Sequence, residues 1–174
     1  MILFRVVATS LALVACATLA LPEAGNAKSR HHHAKSRARG GTHLYVLLGL
    51  GNNSPGLAEF GYRMQRAGVR TTIANHGEEP ALAAQAIEEY KSGRTSSIKI
   101  VGHSLGGSAA ADMAATLGQA GVPVQLLLTL DPTGGAAPTA NVRRFVNLVP
   151  RAGEDHSTMI AGQMRTITAY AGGR

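Results

Sequence analysis

From residue 42 onward the chain alternates between short apolar runs and longer segments whose apolar residues recur at helical spacing. "HLYVLLGL" (43–50) is a short apolar run with β-branched and aromatic residues, and it predicts a buried strand. "SPGLAEFGYRMQRAG" (54–68) predicts a helix with Ser54 as cap, Pro55 at the first helical position and Gly68 as stop. Leu57, Phe60, Met64 and Ala67 fall on one face of it. The same reading gives strands at 69–75, 96–102, 123–131 and 141–150, and helices at 80–93, 104–121 and 155–173. Strands separated by helices form βαβ units, whose right-handed crossovers build a parallel sheet covered on both faces. The expected fold class is α/β: a short three-layer α/β/α sandwich with a mostly parallel sheet of about five strands. Ligands of such sheets bind at the carboxyl ends of the strands.

Composition narrows the picture. The 174 residues suffice for one domain, and 45% hydrophobic content supports a core. Aromatics are 4% and Trp is absent, so that core rests on Val, Leu, Ile and Ala. The formal charge of +7 is concentrated at the N-terminus: residues 1–41 hold six of the 17 Lys and Arg. Residues 42–174 hold 11 Lys and Arg against nine acids, a balance of +2, with no aromatic-interleaved basic patch. Nucleic acid is therefore not an expected partner.

Three regions follow. Residues 1–27 read as an export signal: Arg5, then the apolar run "VVATSLALVACATLAL", then small residues before a cleavage point after Ala27. The run is short for a membrane-spanning helix. A competing reading is the lipobox-like "LVAC" (13–16), which would lipidate Cys16 and anchor the chain to a membrane; against it, the sequence stays apolar up to Leu21. Cys16 is the only cysteine, so once a signal is removed no disulfide or thiol chemistry remains. Residues 28–41, "KSRHHHAKSRARGG", read as a basic flexible linker that would rest on anionic membrane surfaces, and 42–174 form the folded domain. The expected location is periplasmic or secreted, with a membrane-anchored lipoprotein as the alternative.

The candidate chemistry centres on "IVGHSLGGSAA" (100–110), where strand character gives way to helix character around one hydroxyl. Gly102-His103-Ser104-Leu105-Gly106 fits the G-x-S-x-G nucleophile elbow. A sharp strand-to-helix turn brings the positions two before and two after the serine against neighbouring backbone, which explains Gly102 and Gly106. A serine nucleophile needs a base, a group that orients the base, and donors for the developing oxyanion. Chain order in this architecture is Ser, acid, His. Only His156 follows Ser104; His31, His32 and His33 lie in the linker, His43 opens a strand at the wrong end, His103 should point away from Ser104, and His76 reads as a surface loop residue. Asp131, at the end of "LLLTLD", is the expected acid, with Glu154 in reserve and Asp112 solvated on a helix. The oxyanion donors are the N–H of Leu105 and an N–H in "GLGNNSPG" (49–56), Leu50 first and Gly51 next, with Asn52 as a side-chain donor.

"GHSLGG", "LDPTG" and "EDHSTM", in that order after a "GLGN" loop, resemble a serine α/β-hydrolase over about residues 43–172, closest to small bacterial esterase-, lipase- or thioesterase-like proteins. The resemblance implies a Ser104–His156–Asp131 triad and acyl-enzyme chemistry without a cofactor or metal. Two departures stand out. Leu48-Gly49 replaces the family's usual His-Gly before the oxyanion loop, and the domain leaves no insertion long enough for a lid. An open site suits a small or surface-presented acyl ester or thioester. Two alternatives share these residues: an acyltransferase, and a catalytically silent envelope binding protein on a hydrolase scaffold.

Overall fold

The computed structural model describes residues 40–172. The signal, the lipobox at Cys16 and the linker histidines lie outside the described residues.

Five strands, β1 (Thr42–Leu48), β2 (Arg70–Asn75), β3 (Ser97–His103), β4 (Leu126–Leu130) and β5 (Phe145–Leu148), form one sheet in the order β2-β1-β3-β4-β5. Every pairing is parallel. Four helices cover it: α1 (Leu57–Arg66), α2 (Glu79–Lys91), α3 (Leu105–Gln119) and α4 (Met159–Gly172). The chain leaves β1 in one direction to make β2, then crosses back over β1 to make β3. Right-handed crossovers therefore put α1 and α2 on opposite faces. The reversal between β1 and β3 opens a crevice at their carboxyl ends, the place where such sheets bind ligands.

Strand alternation assigns the layers. Leu44, Val46 and Leu48 of β1 pack with Leu57, Phe60 and Met64 of α1 and with Ile160 and Ile167 of α4. Tyr45 and Leu47 pack on the other face with Leu82 and Ala86 of α2 and Met113 and Leu117 of α3. Leu57 and Phe60 are essentially inaccessible; burial of each such side chain contributes about 1.5–3 kcal/mol. The fold is thus the three-layer α/β/α sandwich, with all five strands parallel.

The differences from the sequence reading lie at element ends. α1 does not begin at Ser54 and Pro55. Its N-cap is Gly56, in the left-handed region at φ 86°, and Pro55 sits in the preceding turn. The Ser54 hydroxyl is taken by Gly49 N–H and by His103 instead. β4 starts at Leu126 rather than 123, because Pro123 has no N–H for the ladder and Val124 makes an isolated bridge to Val142. α4 starts at Met159: Asp155 caps it, its Oδ1 accepting from the N–H groups of Ser157 and Thr158 at 2.8 Å each. Gly68 does end α1, at φ 81° with its N–H donating to Gln65 O.

Candidate active site

The elbow forms because nothing but hydrogen fits at its two glycines. A Cβ on Gly102 would overlap the carbonyl of Gly106, and a Cβ on Gly106 would overlap the carbonyl of Leu47 in β1. Helix α3 can therefore start hard against β1 and β3. Ser104 sits between them at φ 58°, ψ −126°, a backbone conformation that costs a non-glycine residue of order 1–3 kcal/mol. The turn is fixed from three sides. Ser104 N–H donates to Leu130 O at 3.0 Å, and Ser104 O accepts from Gly107 N–H at 2.9 Å and from Thr133 N–H at 3.3 Å. Leu105 is the first residue of α3, so its N–H has no intrahelical acceptor, and the positive end of the helix lies at the hydroxyl.

Asp131 directly follows β4 at φ 42°. Its N–H donates to Leu148 O at 2.8 Å, so the β4–β5 pairing carries on past the strand and holds the carboxylate. His156 lies in the loop before α4 and is half exposed. Its Nδ1 is 2.7 Å from Asp131 Oδ2. With that nitrogen donating to the carboxylate, Nε2 is left as the basic atom. Ser104 is in the same corner of the sheet, but no hydrogen bond joins it to His156. Its Oγ lies 3.2 Å from Thr133 Oγ1.

The β1 loop passes close to the serine: a Cβ on Gly49 would lie 3.2 Å from Ser104 Cβ. Leu50, Gly51 and Asn52 form one 3-10 turn, with Gly51 at φ 59° and Asn52 at φ 64°. Leu50 heads that turn and is 70% exposed. Asn52 is held by Asn75, whose Nδ2 donates to Asn52 Oδ1 at 2.9 Å. The remaining sequence candidates lie elsewhere. Glu154 accepts from Arg151 N–H in its own loop and from Gln163 Nε2 on α4, so the reserve acid is committed there. Asp112 is exposed on α3. His43 is buried at the amino end of the sheet beside Glu89 and Arg70. His76 lies in the turn between β2 and α2, partly buried, with its Nδ1 unpartnered. Among the described residues no group of three or more His, Cys, Asp or Glu is placed to hold a metal ion.

Sequence reasoning missed four residues. Thr133 Oγ1 lies 3.2 Å from Ser104 Oγ. Asn75 anchors the β1 loop; the Asn-x-x-Glu capping pattern at 75–78 was its signal. His103 and Ser54 are joined at 3.0 Å beneath the site. Period-2 alternation in β3 puts residue 103 on the side of Lys99 and Val101, the layer of α1 and α4, where Ser54 and His156 also lie.

The sequence was compared with models of protein families and with curated proteins, and it matches none of them.

Proposed function

We propose that this chain is a serine hydrolase of the α/β-hydrolase type that cleaves a carboxylic ester or thioester through an acyl-enzyme. One observation carries the reading. Ser104 occupies a strained β3–α3 turn flanked by glycines, while an Asp131–His156 pair joined at 2.7 Å stands at the neighbouring strand ends. A structural turn serine has no need of that backbone geometry or of that pair.

In the reaction Ser104 Oγ attacks the acyl carbon and His156 Nε2 takes the hydroxyl proton. Asp131 holds the imidazole tautomer and stabilises its charged form. The N–H groups of Leu105 and Leu50 receive the oxyanion; each such donor is worth about 3–4 kcal/mol in the transition state. His156 then gives its proton to the leaving group. Water attacks the acyl-enzyme with His156 as base, and Ser104 is released with the acid. The export reading of residues 1–27 favours an ester over a coenzyme A thioester, whose pool is cytoplasmic. Exposed Leu50 and the missing lid favour a small or surface-presented acyl group.

Ser104 Oγ must turn from Thr133 to His156 before attack. The silent-scaffold alternative would leave it where it is. Treatment of the full chain with a fluorophosphonate, read by peptide mass spectrometry, separates the two. The expected result is an adduct on Ser104, absent in Ser104→Ala and slowed by about 10³-fold or more in His156→Ala. A folded wild-type chain that takes no adduct overturns the hydrolase reading.

A further inference from the structure

Beneath the candidate site runs a buried hydrogen-bond chain whose direction can be read. His103 Nε2 lies 2.9 Å from the carbonyl oxygen of His156, which can only accept, so Nε2 carries the hydrogen. In the neutral ring Nδ1 is then an acceptor, and the group 3.0 Å from it is the Ser54 hydroxyl, which donates. Ser54 Oγ in turn accepts from Gly49 N–H at 2.9 Å. Every polar atom in the chain then has a consistent role, with Ser54 Oγ both donating and accepting. His103 is 1% exposed and Ser54 4% exposed, and the bonds that join Gly49, Ser54 and His103 are buried, while the one to His156 O is part-buried. The ring also packs against that of His156, with centroids 4.5 Å apart.

The two ends of this chain lie on the two loops that the reaction needs. Gly49 immediately precedes Leu50, and His156 is the base itself. The centre, His103, is the residue before the nucleophile. We propose that Ser54 and His103 are positioning residues that fasten the oxyanion loop and the base loop to the elbow as one unit, with His103 fixed as the neutral Nε2–H tautomer. This rests on the hydrolase reading for its kinetic consequence, but not for its existence. Burial holds the His103 pKa below the ordinary histidine value, which keeps the ring in the form the chain needs. A proton on Nδ1 would turn that atom into a donor and leave the buried Ser54 O–H without its acceptor.

The full chain with 15N-labelled histidine, studied by long-range nitrogen–proton NMR, gives the tautomer directly. Inactivation by a fluorophosphonate gives the kinetics. His103 is expected as the neutral Nε2–H form at pH 7.5. Ser54→Ala is expected to lower kinact by about 10- to 100-fold through loss of loop position, with KI within about threefold, and Ser54→Thr to restore most of the rate. A purely structural role would lower Tm and leave kinact of the folded fraction unchanged. If Ser54→Ala does not fold, His103→Gln replaces it: its amide can still donate to His156 O while losing Ser54. Wild-type kinact in the folded variant, or a charged or Nδ1–H ring at His103, overturns the proposal. A wild-type chain that is never inactivated overturns the hydrolase reading instead, and the tautomer still decides whether the chain of bonds exists.

Discussion

Asp131 combines two demands in one residue. Its carboxylate faces His156, and its backbone is held at φ 42°, where few side chains are comfortable. Asparagine is among those few, because its short polar side chain tolerates left-handed backbone. Asp131→Asn should therefore fold with little loss of Tm while forcing the wrong His156 tautomer, and Ser104 labelling should slow by about 10³- to 10⁴-fold. Equal loss of Tm and labelling would show the carboxylate to be structural. Thr133 works in the opposite sense. Its hydroxyl lies 3.2 Å from Ser104 Oγ, and in the proposed reaction it would compete with His156 for that atom. Thr133→Val removes the competitor but keeps the shape, and labelling should speed up by about 2- to 10-fold, the equivalent of about 0.5–1.5 kcal/mol. A slower rate would mean that Thr133 assists the nucleophile rather than restrains it.

At the scale of elements, the elbow is a steric construction, and its glycines are not equivalent to those in the β1 loop. Gly102→Ala and Gly106→Ala would drive a methyl group into backbone carbonyls that cannot move without separating α3 from the sheet. Each should leave too little stability to give folded protein, a loss of more than about 4 kcal/mol. Gly51→Ala meets open space and only the strain of φ 59°. It should cost about 1–2 kcal/mol in a urea melt and leave the fold intact. This contrast also explains what was legible in the sequence. Steric demands at a strand-to-helix turn select glycine at fixed spacing, so Ser104 and its flanks stand out. The order of strands and helices is written in apolar periodicity. Ser54 was misread because Ser-Pro before an apolar helix is a local capping pattern, and a tertiary partner, His103, won the hydroxyl. Thr133 and Asn75 act through loop conformations that no periodicity encodes.

At the scale of the whole molecule, polar chemistry among the described residues is divided between the two ends of the sheet, and each end buries one of the described histidines, His43 and His103. At the amino end the His43 ring contacts Glu89 and Arg70 through Nδ1 and Thr72 through Nε2, and stacks on Tyr45 at 4.1 Å. At the carboxyl end His103 joins the loops around Ser104. Burial is the main influence on both rings and lowers both pKa values; at His43 the hydrogen bond to Glu89 opposes it, and at His103 the hydrogen bond to His156 does so. The consequence for stability has a definite sign. Above about pH 6.5, the ordinary histidine value, both rings are neutral folded and unfolded, and neither contributes. As pH falls below it, the unfolded chain takes up protons first, and stability is lost until pH passes the depressed folded values. Urea melts between pH 8 and pH 5 stay above the ordinary carboxylate range; Glu79, whose carboxyl is pushed up by burial, opposes the histidines only toward the acid end. The unfolding free energy should fall toward pH 5, and the slope should be shallower in His103→Gln, which lacks one of the two buried rings. A flat profile, or one that rises toward acid, would mean that the rings accept protons in the folded state as readily as in water. That result would also remove the physical reason for His103 to stay neutral beneath the site.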